Sequence, residues 1–423
     1  MSSDTNSAGG TLWRPAARPL WAQEINDLGV DLQACGERLL ALDVKSLLAQ
    51  ARTRTGLTDF GPDDFLEGLE VLTQALEAEA ELTLMGRIMA RDEILNALEC
   101  RLRIEAAFHE HPRIAEELIE APILIGGPGR SGTTILHELL AQDPAYRAPL
   151  GWEVRDPYPP APDDDPRIEA ADRAVRLWHR VAPETEAIHP LGARLPQECT
   201  FFLNHSFRFG YYAAAYRIPS YVQWLSDQDL APTFAYHRRF LQVLQWRSPR
   251  KRWVLKMPGY IDHAESLLGT YPDAKFLHTH RDPLKVIPSM TSFIGTIMWM
   301  RSDRVMDAPA FAQMMSQEFC TRFERVEDRL ARGVFHRGNY CDVLYHRLVD
   351  EPLECMADIY DQLGMDLTGE TRRRMRDWLD TRSRAKRNLA GHRYGFEQTG
   401  LDQEAERERH RTYQRRFGIP SEV

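Results

Sequence analysis

The stretch from Pro122 to Gln142 constrains the fold more than any other part of the chain. Ile123-Leu124-Ile125 is a short, continuous apolar run with β-branched ends, bounded by Pro and Gly. That is the pattern of a strand buried on both faces of a parallel sheet. A glycine-rich segment, Gly126 to Thr134, follows, and Thr133–Gln142 then reads as a helix that stops before Asp143-Pro144. Two further strand-like runs, Trp253-Val254-Leu255 and Lys275-Phe276-Leu277-His278-Thr279, are each trailed by a helical segment. A fourth run, Asn339–Leu344, precedes a helix over Pro352–Leu363. Strands alternating with helices predict an α/β fold: a parallel β-sheet flanked by helices on both faces.

Around that unit the 423 residues divide into three expected parts. Residues 1–20 are polar and Pro-containing and read as a flexible arm. Residues 21–120 carry apolar positions three and four apart, as in Leu39-Leu40, Val44, Leu47-Leu48 and again through Leu66–Leu84, and predict a helical subdomain of three or four helices. Residues 121–423 form the α/β domain, with a helical, aromatic-rich insertion between about 165 and 250. The Pro- and Asp-rich stretch 150–166 reads as loop.

A net charge of −9 argues against nucleic acid as a partner, because such proteins leave a basic footprint. Any anionic ligand must then be caught by a local cluster of donors. Only six of the 53 basic residues are Lys, so a Lys at a strand end carries more information than an Arg. The six cysteines are scattered without metal or redox spacing and read as buried free thiols, with no metal site expected. No basic-then-apolar leader and no apolar run near the ~20 residues of a membrane span is visible, so a soluble, cytoplasmic protein is expected.

Gly127, Gly132 and Thr134 reproduce most of the spacing of the nucleotide P-loop, G-x-x-x-x-G-K-[ST], but Thr133 stands where the Lys belongs. The positive charge lies three residues earlier, at Arg130. Glycines let backbone N–H groups approach a phosphate, and the helix start adds positive potential. Gly129–Thr133 also begins like the nucleophile elbow G-x-S-x-G, though its last position is Thr. A turn with no ligand is the remaining alternative. A second loop, His280-Arg281-Asp282-Pro283, follows a strand, with Asp282 as N-cap and Pro283 at the first helical position. Arg281 then lies at the carboxyl end of a parallel strand, where ligands bind in such sheets. Ser289 lies eight residues on, just past Pro288, which is expected to disturb the helix. The plain alternative for Arg281 is a pairing with a surface carboxylate.

Together these segments resemble the sulfotransferases that use 3′-phosphoadenosine 5′-phosphosulfate (PAPS), and the bacterial sulfotransferase family is the most similar group. The resemblance rests on Arg130-Ser131-Gly132-Thr133-Thr134 and on Arg281 with Ser289. It continues through Leu195-Pro196-Gln197-Glu198-Cys199-Thr200, Trp253–Gly259 and Gly391-His392-Arg393-Tyr394, covering about residues 120–420. It implies a P-loop-like fold and a PAPS co-substrate. Arg130 and Ser131, Gly132, Thr133 and Thr134 would take the 5′-phosphosulfate, and Arg281 with Ser289 the 3′-phosphate. It further implies that Lys256 stabilises the leaving group or the sulfonate; a snorkelling surface Lys is the alternative. For the base, cytosolic members place a His two residues after this Lys, where this chain has Pro258. Other members use a Glu soon after the first loop's helix, which puts Glu153 ahead of Glu198, with His189 and His205 behind. Met257, where Ser is common, and His346-Arg347, where acidic residues often follow Tyr345, depart from the family pattern.

The implied reaction moves a sulfonate from PAPS to a hydroxyl, or an amine, of a small-molecule, lipid or glycan acceptor. An ATP-dependent P-loop kinase and a non-catalytic nucleotide-binding protein of the same fold are the alternatives. The aromatic stretch from Phe201 to Trp224 suits either an apolar acceptor pocket or plain core. The scheme requires the two loop tips to face one another, with no carboxylate plugging either pocket.

Overall fold

The computed structural model describes residues 12–37, 39–159, 165–248, 252–386 and 394–423. Five strands, β1 (Ile123–Gly126), β2 (Tyr146–Arg147), β3 (Arg252–Lys256), β4 (Lys275–His280) and β5 (Tyr340–Leu344), form one sheet in the order β2-β3-β1-β4-β5. Every pairing is parallel. The register sets Leu124 beside Leu255 and Phe276, and Ile125 beside Lys256 and Leu277. Alternate residues therefore feed opposite layers. Leu124, Trp253, Leu255 and Phe276 pack against Phe202, Phe240 and Leu241 on one face. Ile123, Ile125, Val254 and Leu277 pack against Leu136, Leu139, Met356 and Ile359 on the other. Burial on both sides is why these strands read as apolar runs rather than as alternation.

The helix Thr133–Leu140 follows β1, and Pro283–Trp299 follows β4, with Asp282 accepting from the Leu284 amide as N-cap. Pro288 does not end that helix, which continues for eleven residues beyond it, so Ser289 sits in its interior and is fully buried.

Other expectations change as well. The stretch 150–166 is not all loop: Gly151–Arg155 is a short helix, and Asp165 caps the helix Pro166–Val181, which has Pro at its first position. The Asp165-Pro166 pair was a helix-start signal, while residues 160–164 lie outside the described part. The strand β2 was not expected; two residues are too few to carry a period. The expected thiol burial holds for Cys100, Cys199, Cys341 and Cys355, whereas Cys35 is exposed and Cys320 half-buried.

Four helices, Leu20–Ala34, Val44–Thr55, Leu66–Ala78 and Leu84–Glu110, occupy the amino-terminal region. The apolar faces of the last three, with Leu69, Leu72 and Leu98, share one core with Phe207, Tyr212, Tyr216 and Tyr221 of the insertion and with Ile294 and Ile297. Residues 12–19 are also held down. Trp13 is buried, its indole N–H donates to Ser292 Oγ at 3.1 Å, and a Cβ at Gly295 would meet its ring at 2.3 Å. This part of the expected arm thus braces the helix that carries Ser289. Trp13→Ala is expected to lower unfolding stability by about 3 kcal/mol, the scale of truncating a buried aromatic. Urea denaturation measures it; an unchanged midpoint would mean the segment contributes no packing.

Candidate active site

The glycine-rich turn is tied to its neighbours before any ligand is considered. Gly127 has φ 125°, and a Cβ there would fall 2.5 Å from Thr279 Oγ1, so only glycine fits. Ser131 is fully buried; its hydroxyl bonds to Thr279 Oγ1 and the Pro128 carbonyl, and its amide donates to the same carbonyl at 3.3 Å. Ser131 is thereby a strut of the turn. Gly132 is the N-cap of the Thr133 helix at φ 95°, and no side chain caps this end. The first-turn amides, including those of Thr133 and Thr134, are the donors that a helix start offers to an anion.

Arg130, Ser289 and Arg281, far apart in sequence, meet. Arg130 Nε donates to Ser289 Oγ at 3.1 Å and its NH1 to the Ile188 carbonyl at 2.5 Å. Arg281 NH1 donates to the Arg130 carbonyl at 2.9 Å, so the two loop tips face each other. Burial pulls the Arg130 guanidinium below its ordinary pKa, and the like charge of Arg281 adds to that. Two arginines at facing loop tips beside uncapped amides fit a polyanionic ligand. Arg281 stacks on the Tyr345 ring at 3.9 Å.

A carboxylate does sit on Arg281. Glu422 accepts from its Nε at 2.8 Å and its NH2 at 2.7 Å, while the Glu422 amide donates to Asp282 at 2.7 Å. The requirement of an unplugged pocket is not met in this conformation. The plug is a single bidentate pair, with the Arg281 side chain 10% and the Glu422 side chain 26% exposed.

At the end of β3, Lys256 has its side chain almost completely buried and forms an ion pair with Glu198; its Nζ also lies 3.4 Å from Thr134 Oγ1. Glu198 is brought there because the Cys199 amide donates to the Lys256 carbonyl at 2.9 Å, clamping the 195–200 segment onto the strand tip. Burial pushes the Glu198 carboxyl up, but Lys256 and then His189 outweigh it and hold the group below its ordinary value. His189 Nε2 lies 3.7 Å from Glu198, and its ring lies against Phe293. Burial brings the His189 pKa down to about 4. His205, by contrast, is a core residue bonded to the Tyr236 hydroxyl.

Glu153 is not in this group. Its carboxylate accepts from Arg147 at 2.5 Å and from the Leu150 amide at 2.9 Å, tying the short helix to β2. The structure thus brings Glu198, and not Glu153, to Lys256.

Glu198 and His189 open onto a cavity of about 790 Å³, walled by Phe201, Phe209, Tyr211, Met257, Met290, Phe293, Ile294 and Ile297. The last four positions run along one face of the Ser289 helix at three- and four-residue spacing, a signal present in the sequence but not used. Of the aromatic stretch, Phe202, Phe207, Tyr212, Tyr216 and Tyr221 are core, and only Phe201, Phe209 and Tyr211 line this cavity. Residues 391–393 lie outside the described part, although Tyr394 is described. Among the described residues, His278, His280 and Asp342 bring possible metal-ligand atoms within 4.8 Å of one another. Those atoms already pair with Tyr340, Tyr413 and each other.

A glycine-rich turn and paired arginines at the carboxyl ends of a parallel sheet define a P-loop-like α/β protein. Over residues 122–369 the sequence matches the model of the sulfotransferase family, and the chain belongs to that family. It is 26% identical over 264 residues to the omega-hydroxy-beta-dihydromenaquinone-9 sulfotransferase Stf3 of Mycobacterium bovis and of Mycobacterium tuberculosis, an alignment covering 60% of this chain. The match spans 65% of the length of those relatives. The structure superposes on crystal structures of sulfotransferase STF1 from Mycobacterium tuberculosis (TM-score 0.75, 32% identity, 87% of this chain and 98% of that one). It superposes likewise on STF9 from Mycobacterium avium (TM-score 0.79, 29% identity, 90% and 98%). Among the described residues no helix is long and apolar enough to cross a membrane.

Glu198→Gln leaves Lys256 buried without its carboxylate and is expected to cost about 3 kcal/mol at neutral pH. Because the folded carboxyl is held below its unfolded value, the stability it contributes is present above that unfolded value and fades as pH falls through the folded one. Urea unfolding of parent and variant should therefore differ at neutral pH and converge below about pH 4. A pH-independent gap would contradict the ion pair.

Proposed function

We propose that this protein transfers a sulfonate from PAPS to a hydroxyl of an apolar, lipid-like acceptor. The observation that carries the reading is the junction at Lys256. On one side it reaches Thr134 at the start of the phosphate-loop helix, and on the other Glu198 at the wall of an apolar cavity. PAPS supplies the activated sulfonate and leaves as 3′-phosphoadenosine 5′-phosphate (PAP), with negative charge growing on its 5′-phosphate oxygen. Arg130, the amides of Thr133 and Thr134, and Lys256 stabilise that charge. Arg281 and Ser289 hold the 3′-phosphate, with Arg281 exchanging Glu422 for it. The acceptor oxygen attacks sulfur, the bond from sulfur to the phosphate oxygen breaks, and the acceptor proton passes to Glu198. An anion that draws Lys256 toward itself removes the strongest influence lowering the Glu198 pKa, so the arrival of the donor makes the carboxylate a better base. His189 orients Glu198 from the cavity side.

The sulfotransferase family and a relative named for a hydroxylated menaquinone both support this choice, as does the apolar wall of the cavity. An ATP-dependent kinase is disfavoured because Thr133 stands where such a loop needs Lys.

PAP is expected to bind stoichiometrically by calorimetry. Arg281→Ala should weaken it by roughly 1.5–3 kcal/mol, the scale of a charged hydrogen bond. Glu422→Gln should tighten it, because it removes the competing charge on Arg281. Unchanged affinity in Arg281→Ala would overturn the 3′-phosphate assignment. In a screen of hydroxyl acceptors with labelled PAPS, scored by the mass gain of one sulfonate, Glu198→Gln should lower turnover by about 10²–10⁴-fold. Glu153→Gln should leave turnover near that of the parent; the reverse ranking would restore Glu153 as the base.

A further inference from the structure

The cavity bordered by Glu198 is not the only space beside its aromatic wall. A second cavity of about 390 Å³ lies against the long helix Leu84–Glu110, and a third of about 100 Å³ borders Gly151 and Leu191. Trp178 and Phe201 line all three, and Tyr211 lines the first two. The three rings are thus the partition between adjoining chambers.

They are not held alike. The Arg301 guanidinium sits 4.7 Å from the Trp178 ring, and the Tyr211 hydroxyl donates to Glu93 at 3.1 Å. The Phe201 ring, partly buried against the core, makes no polar contact and meets the Tyr211 ring at a centroid distance of 5.7 Å. The second chamber also holds an unanswered group. Asn204, 4% exposed, borders it, and its carbonyl Oδ1, shielded from the chamber in this conformation, has no hydrogen-bond partner. A buried acceptor atom of this kind costs free energy until a donor reaches it.

We propose that the two larger chambers form one acceptor-binding channel interrupted at Phe201. In this scheme Phe201 is a specificity-determining residue that swings to admit the distal end of a long apolar acceptor. The same opening uncovers Asn204 Oδ1 to a donor at that end. The inference rests on the apolar-acceptor reading above and adds to it a limit on length and a preference for a distal hydroxyl.

The test is calorimetric titration of the intact protein with straight-chain 1-alkanols of increasing length and with the matching α,ω-diols. In the parent, affinity should rise about four-fold per methylene while apolar surface remains to be covered, and then level off. In Phe201→Ala the levelling should move to longer chains. At those lengths the diol should outbind the alkanol, an advantage that Asn204→Ala removes. Trp178→Ala, at the other side of the partition, is a second route should Phe201→Ala fail to fold. Levelling at the same length in parent and folded variant overturns the partition and leaves the apolar-acceptor reading standing. No alkanol binding by the parent overturns that reading, and this inference with it.

Discussion

The buried pair of Lys256 and Glu198 is the contact through which the two halves of the site communicate. Lys256 belongs to a central strand and Glu198 to the helical insertion, so their attraction, with the backbone bond beside it, docks the insertion onto the sheet tip. Removing two charges from water is costly, and a pair of this kind is poor evidence of stabilisation for its own sake. Its value lies in where it leaves the charges. A cation is held beside the phosphate loop and an anion beside the apolar cavity, each ready for a different reactant.

The loop shows the same preference for function over comfort. Arg130 adopts φ 68°, a left-handed conformation that a non-glycine residue rarely takes, and its carbonyl accepts from Arg281. The strain is tolerated because the turn is pinned from several sides. The Gly127 amide donates to the Pro258 carbonyl, Ser131 is bonded to Thr279, and Ile188 receives Arg130.

What was readable beforehand follows from which features are local. Strands with two buried faces announce themselves as apolar runs, and the Arg130 and Arg281 loops follow a spacing that reflects backbone geometry. Asp282 as N-cap followed from the same logic. The acceptor side was less legible. Glu153 and Glu198 both lie in short segments near an aromatic residue, and only tertiary structure shows that one carboxylate is occupied by Arg147 while the other faces Lys256. His189 and Glu422 carry no local signal, since each matters through a partner distant in the chain. Pro288 misled because a proline within a helix can be accommodated where surrounding packing holds the turns.

The register of the sheet bears on how the molecule is made. Ile123 pairs with Val254 on one side and Lys275 on the other, so the strand leading into the phosphate loop emerges long before either neighbour exists. Contacts of such sequence separation form slowly, because closing the intervening loops costs entropy that local structure does not return. Until then the run Ile123-Leu124-Ile125 is an unpaired apolar edge, and the nascent chain is most vulnerable to aggregation there.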